Sequence, residues 1–287
     1  MAELRTSSVV VDGLNSPLIE SGPEGVGEAV VYIHGSPGSC ADFRELVAHT
    51  GEFARAIAID LPGFGQADKP HPRDFEYSVP SIGVHLAKQL ELLGVERAHL
   101  VGHDFGGGFA QFAASYSPAR TASLAMVNSG LLRGYRWHAW ARIWRTRGIG
   151  ELTMAVTNKQ GFDRAMRGLP QDFIDEMWGN FDRRTRRAVI ALYRATNHRE
   201  FTASIPMLRL MDWPSIVIWG ASDPYIGPQW AERNLEAFPS AEVHVLEGAG
   251  HWPFIDRPEA FEAALFPFLR ARIAAADESH ELSASYR

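Results

Sequence analysis

Four short segments carry side chains that could act together. In Gly102-His103-Asp104-Phe105-Gly106, one carboxylate stands between two glycines. An apolar run ends just before this segment, and a helical pattern starts just after it. Glycines at this spacing let a strand turn sharply into a helix and push the central side chain outward. The N–H groups at the start of the helix favour negative charge there. The plainer alternative is a glycine-rich turn in which Asp104 caps the helix. Asp104 is ionised near neutral pH. A carboxylate attacking an acyl carbon gives a labile anhydride. The same carboxylate attacking a saturated carbon gives an ester that water can cleave.

The other three segments offer the remaining parts. His34-Gly35-Ser36-Pro37-Gly38 follows an apolar run and can supply backbone N–H groups to an oxyanion. Asp223, in Trp219-Gly-Ala-Ser-Asp223-Pro-Tyr-Ile, is a carboxylate placed after a later run. His251, in Gly248-Ala-Gly-His251-Trp-Pro, is an imidazole placed after the last one. Nucleophile, acid and base thus occur in that order, each just past a strand-like stretch.

Parallel strands are the elements that can present loops in this way. Ser8–Asp12 and Ser16–Glu20 read as an opening hairpin. Glu28–Ile33 and Arg55–Asp60 read as buried strands, and Arg97–Val101, Ala122–Val127, Ser215–Trp219 and Ala241–Leu246 as further strands. Helical patterns cover Val79–Leu93, Gly107–Tyr116, a stretch near Pro228–Phe238, and Pro258–Ala274. In the first of these, Ile82, Leu86, Leu90 and Leu93 recur at spacings of three and four. This alternation predicts an α/β fold with a mostly parallel central sheet flanked by helices. It stops between residues 131 and 210, which read as helical throughout. The expected organisation is a core of residues 1–130 and 211–287 interrupted by a helical cap of residues 131–210.

Together these segments resemble the α/β-hydrolase superfamily, over nearly the whole chain from Val9 to Ala274. Most members carry Ser or Cys at the elbow, so Asp104 narrows the resemblance to the epoxide hydrolase and haloalkane dehalogenase branch. Dehalogenases of this branch usually place Trp after the nucleophile and Asn in the His-Gly-Asn-Pro loop, as halide ligands. Here those positions hold Phe105 and Ser36, neither with an indole or amide donor. Fluoroacetate dehalogenases place Arg after the aspartate, and that too is absent. Epoxide hydrolases use cap tyrosines as acids, one of them in a Tyr-Arg pair before the catalytic acid. Tyr193-Arg194 matches that pair.

The resemblance therefore implies opening of an epoxide to a vicinal diol. Asp104 attacks, Tyr193 protonates the leaving oxygen, and His251, supported by Asp223, activates water. Backbone N–H groups of Ser36 and Phe105 form the oxyanion hole. Tyr135 and His138 are candidates for a second donor. Trp137, Trp140, Trp144 and Trp252 are candidates for the pocket wall. The alternatives are a haloalkane or haloacid dehalogenase using the same aspartate, and a non-catalytic ligand-binding member of the fold. Intact Asp104, Asp223 and His251 argue against the last. His34, His103 and Asp60 read as supports for the active-site loops, and Cys40 as a small buried residue. Asp256 stands too close to His251 in sequence to replace Asp223 comfortably. His244 reads as strand packing, and His71, His198 and His280 stand in polar settings without ligand spacing.

The chain has 287 residues, with 46% hydrophobic and 22% charged residues, which excludes disordered and fibrous classes. A net charge of −6 argues against nucleic acid as a partner. That value averages two unlike parts. Residues 131–210 hold 15 Lys and Arg against 7 Asp and Glu, and the remainder holds 13 against 27. The excess of +8 in the cap is either the wet face of a helical insert or an attractor for an anionic substrate. One cysteine excludes an internal disulfide and a Cys-based zinc site. No cofactor or metal is implied. The expected partner is a small-molecule epoxide or related electrophile, with no membrane partner because no apolar run approaches about 20 residues. An oligomer is possible through the aromatic cap, the tail from Ala274 reads as frayed, and a cytoplasmic location is expected.

Overall fold

The structure, a computed structural model, describes residues 1–130 and 134–285, without the side chains of residues 198, 200 and 275–285. Eight strands form one sheet in the order β1-β2-β4-β3-β5-β6-β7-β8. They are β1 (Arg5–Val11), β2 (Leu14–Ser21), β3 (Glu28–Ile33), β4 (Ala56–Ile59), β5 (Arg97–His103), β6 (Thr121–Val127), β7 (Ser215–Gly220) and β8 (Glu242–Leu246). The hairpin β1–β2 joins β4 antiparallel, and all other pairings are parallel. Such a sheet needs both faces covered, so its inner strands are apolar throughout. Ala29 to Ile33 and Ala56 to Ile59 are fully buried, as the unbroken β-branched runs require.

Helices supply the cover. α1 (Arg44–Thr50), α2 (Val79–Leu92), α3 (Phe105–Tyr116), α10 (Pro253–Asp256) and α11 (Pro258–Ser285) belong to the sheet-bearing part. Ser78 caps α2, its hydroxyl accepting from the Ser81 N–H at 3.2 Å, and Pro80 sits in the first turn where no N–H is needed. The predicted face of α2, with Ile82, Leu86 and Leu90, is buried. Two expectations need correction. The stretch 228–238 forms two short 3₁₀ turns, Pro228–Trp230 and Glu232–Glu236, and no α-helix. The Asn234 amide donates to the Trp230 and Ala231 carbonyls and so takes acceptors an α-helix would use. The segment after Ala274 continues α11 to Ser285.

Strand β3 leads to β4 on one side, and the chain then crosses to β5 on the other. Ligands of open α/β sheets bind beyond the strand ends where the order reverses in this way. Ser36 follows β3 and Asp104 follows β5, so the chemistry-bearing loops occupy that reversal. Between the adjacent strands β6 and β7 the described chain is helical: α4 (Ala139–Arg145), α5 (Ile149–Val156), α6 (Lys159–Ala165), α7 (Gln171–Asn180), α8 (Arg183–Ala195) and α9 (His198–Met211). Residues 131–133, where the cap is expected to begin, lie outside the described residues.

Candidate active site

The elbow is tight because its neighbours leave no room. Asp104 adopts φ 53° and ψ −123°, a conformation side chains rarely take. A Cβ on Gly35 would stand 2.5 Å from the Asp104 Cβ, and one on Gly106 would stand 2.1 Å from the Ile33 carbonyl oxygen. Glycine at both positions lets strand β3 approach the turn. The elbow is anchored from β6: the Asp104 N–H donates to the Val127 carbonyl at 3.1 Å, and the Ser129 hydroxyl donates to the Asp104 carbonyl.

The two carboxylate oxygens of Asp104 have different surroundings. Oδ1 accepts from the Ser36 N–H at 2.9 Å. Oδ2 faces His251, whose Nε2 is 3.6 Å away. On its other side His251 Nδ1 lies 2.7 Å from Asp223 Oδ2. Burial disfavours charge on both aspartates and on His251, but the ionic contacts prevail. The carboxylates of Asp223 and Asp104 raise the His251 pKa to about 10. His251 in turn holds the carboxyls of Asp104 and Asp223 below the ordinary carboxylate value, helped at Asp104 by the Phe105 N–H. The three shifts together favour a protonated His251 between two ionised carboxylates.

Asp223 is fixed by more than the histidine. Its Oδ1 accepts from the N–H groups of Tyr225 (2.7 Å) and Ile226 (2.9 Å). Its Oδ2 also accepts from the Asn128 amide at 2.6 Å. The Asn128 amide further donates to the Gly250 carbonyl (3.3 Å), and its oxygen accepts from the Gly220 N–H (3.1 Å). Asn128 thus ties the acid loop to the histidine loop and was not singled out from sequence. Asn128→Ala leaves buried partners unpaired and is expected to cost about 2–3 kcal/mol. Thermal unfolding should show this as a fall of roughly 5 °C in Tm; an unchanged Tm would contradict the tie.

The supporting residues stand where the sequence suggests. His34 donates from Nδ1 to the Gly35 carbonyl (2.8 Å) and accepts the Leu61 N–H at Nε2 (3.1 Å). His103 donates to the His251 carbonyl at 2.8 Å, and burial, reinforced by the His251 charge, lowers its pKa to about 4. Asp60 accepts from the N–H groups of Cys40 (2.6 Å) and Gln66 (2.7 Å), and Cys40 is buried. Asp256 accepts from the Gly250 N–H at 2.7 Å, so it shapes the histidine loop while Asp223 contacts the ring. His244 is half-exposed and near Glu242, so it is not packed as expected. The side chains of His198 and His280 lie outside the described residues.

A cavity of about 450 Å³ opens above Asp104 and His251. Tyr193, Tyr135, His138, Trp137, Trp140, Trp144 and Trp252 all line it, as do Ser36 and Phe105. Tyr193 stands on α8, started by Asp182, whose carboxylate accepts the N–H groups of Arg184 and Thr185 at 2.8 Å. Its ring meets Phe105 edge-on at 5.0 Å and Trp144 at 5.1 Å. Burial, together with the nearby Asp104 charge, raises its phenol pKa well above the ordinary value, so it stays protonated. The Tyr135 hydroxyl donates to the Tyr225 carbonyl at 3.3 Å. His138 caps α4, its Nδ1 accepting the Ala141 N–H at 3.3 Å. Burial lowers the His138 pKa, so the neutral ring carries its proton on Nε2. Tyr225, also unflagged in sequence, lines the cavity with its ring 5.0 Å from His251.

No Lys or Arg lines the cavity among the described residues. Three arginines of residues 131–210 are spent on helix architecture. Arg145 packs over Trp137 and donates to the Thr196 carbonyl at 3.1 Å. Arg186 donates to the carbonyls of Met154 (2.8 Å) and Thr157 (3.0 Å) at the end of α5. Arg194, partner of Tyr193 in the sequence pair, binds Glu151 through both carboxylate oxygens at 2.5 and 2.9 Å. The expectation that basic charge of residues 131–210 draws an anionic substrate finds none of their described Lys or Arg in the cavity wall.

A parallel sheet reversing at β3, with an elbow after β5 and acid and imidazole after β7 and β8, defines a class of protein. The chain belongs to the α/β-hydrolase fold family, whose model matches residues 28–258. It is 25% identical over 281 residues to the 2-hydroxy-6-oxononadienedioate/2-hydroxy-6-oxononatrienedioate hydrolase of Comamonas testosteroni, covering 90% of this chain and 93% of that one. Epoxide hydrolase A from Mycobacterium thermoresistibile has the same fold at a TM-score of 0.80 and 22% identity, over 93% of this chain and 98% of that chain. A loop variant of a haloalkane dehalogenase from Bradyrhizobium elkanii matches at 0.81 and 22%, over 97% and 100%. The protein is a hydrolase of this fold.

Proposed function

We propose that the protein opens an uncharged, apolar epoxide to a vicinal diol through a covalent ester of Asp104. The observation that carries this reading is the unequal treatment of the Asp104 carboxylate. Oδ1 is held by the Ser36 N–H, Oδ2 stands beside His251, and Asp104 lines the cavity. Oδ2 attacks the epoxide carbon, and the ring C–O bond breaks with its electron pair going to oxygen. Tyr193, held protonated, donates to that oxygen. The ester carbonyl then already occupies the site made by the Ser36 and Phe105 N–H groups, so the tetrahedral oxyanion forms where donors wait. His251 takes a proton from water as it attacks the ester carbon, and Asp223 steadies the imidazolium. The oxyanion collapses, the Cγ–Oδ2 bond breaks, and His251 returns its proton to the departing diol oxygen. The proton left on Asp104 restores the Tyr193 phenol.

Residues 131–210 act in this reading as the cap that excludes water, over a core of residues 1–130 and 211–287. His138, which lines the cavity and whose Nδ1 is taken by the Ala141 N–H, leaves Nε2–H as the better second donor. Tyr135, engaged on the Tyr225 carbonyl, orients the acid loop. Trp137, Trp140, Trp144 and Trp252 form the apolar wall. No Lys or Arg among the described residues lines that wall, and the His251 charge is already shared by Asp104 and Asp223, which favours an uncharged substrate over a haloacid. Phe105, lacking a donor, stands where a halide would need one.

A single turnover in ¹⁸O-water tests the reading. The diol should carry no label after the first turnover, Asp104 should carry it, and later diol should acquire it. Label in the first diol would sink the covalent route, and halide release without diol formation would replace the epoxide by a haloalkane. Tyr193→Phe should slow ester formation by about 10²- to 10⁴-fold and leave ester breakdown nearly unchanged. Stopped-flow measurement of the two phases checks this; equal slowing of both removes Tyr193 as the donor.

A further inference from the structure

We propose that the rim of the cavity mouth docks on an anionic phospholipid bilayer. The mouth is marked by residues that both line the cavity and face solvent. Trp140 on α4 is 47% exposed, and Val156 at the end of α5 is 66% exposed. Val156 closes a row begun by Ile149 (54%) and Leu152 (64%). Spacings of three and four put these side chains on one face of α5. An apolar row left in water beside a binding cavity marks a surface that is covered in use.

The charge beside the row selects what covers it. Arg147 stands just before Ile149, and Arg164 and Arg167 bracket Ala165 and Met166, which line the cavity. All three arginines are exposed. The acids nearby are already met: Glu151 by Arg194, and Asp163 by Lys159. Residues 131–210 as a whole carry an excess of +8. Two copies paired through this face would set like charges against each other. A bilayer interface takes both features at once, aliphatic side chains into the acyl boundary and guanidinium groups onto phosphates. No helix among the described residues is long and apolar enough to cross a membrane, so the contact is one of docking. The lack of a spanning run, from which no membrane partner was expected, does not bear on a surface contact. Docking in this orientation would deliver apolar molecules from the lipid straight to the mouth, but the contact itself rests on the surface and not on the epoxide reading.

Cosedimentation of the full chain with vesicles is the test. Vesicles of phosphatidylcholine mixed with phosphatidylglycerol should carry the chain down, and phosphatidylcholine alone should do so far less. Added salt should weaken the binding. Ile149→Glu with Leu152→Glu should abolish it. Arg147→Gln with Arg164→Gln should lower the partition coefficient by about fivefold for each cation removed. Thermal melting shows that the variants fold. A chain that stays in the supernatant at low salt overturns the proposal, as does binding that both variants retain. Sedimentation equilibrium tests the rival occupant: a dimer dissolved by Leu152→Glu assigns the row to a second copy and overturns docking. Failure to form diol leaves vesicle binding untouched, so the two readings fail separately.

Discussion

His251→Gln is expected to halt the reaction after one alkylation and leave the chain heavier by the mass of one substrate. Attack by Asp104 Oδ2 needs no base, because the carboxylate is already ionised. Breakdown of the ester does need one, since water is a poor nucleophile until a proton is taken from it. Gln fills similar space but cannot accept and carry that proton. Loss of a general base slows a step by about 10²- to 10⁴-fold, enough for the ester to accumulate over minutes. Intact-mass measurement after mixing with an epoxide that the wild type consumes should show one adduct. Proteolysis should place it on the peptide containing Asp104. No adduct, with the wild type active on the same compound, would remove Asp104 as nucleophile. An adduct formed from a haloalkane but not from an epoxide would move the reading to dehalogenation.

Much of this site was legible because its parts are local. Each of Ser36, Asp104, Asp223 and His251 follows an apolar strand run, and glycines punctuate the turns. Strand, turn and loop are decided by neighbours in the chain, so their order could be read. Asn128 was not legible. It is one amide after a strand, and its meaning lies in partners at Gly220, Asp223 and Gly250, far along the chain. The basic charge of residues 131–210 was legible in amount but not in direction. Arg145, Arg186 and Arg194 bind carbonyls and a carboxylate within the helices, and which way an arginine points is set by those contacts, not by composition. The stretch 228–238 has helical spacing, but the Asn234 side chain competes with the backbone for acceptors there.

Asp104→Asn is expected to abolish turnover, by about 10⁴-fold or more, and also to change the titration of His251. Two carboxylates hold that imidazole protonated, against the effect of burial. Removing one leaves Asp223 alone, so the His251 pKa should fall from its raised value toward the ordinary imidazole range. NMR titration of the ring in wild type and variant measures this, and an unchanged value would show that Asp104 does not face the ring as an anion. The same change occurs in the proposed reaction each time Asp104 becomes a neutral ester. In that proposed reaction the raised pKa of the resting histidine supports the anion that attacks, and in the ester its proton is released so that it can serve as base. The sign for pH follows. Ester formation requires ionised Asp104, whose pKa is lowered, so kcat/KM should stay flat through neutral pH and fall only in acid. Ester breakdown requires neutral His251, so its rate should rise with pH across the lowered pKa of the ester state. If both steps share one titration, the charge of Asp104 does not control His251.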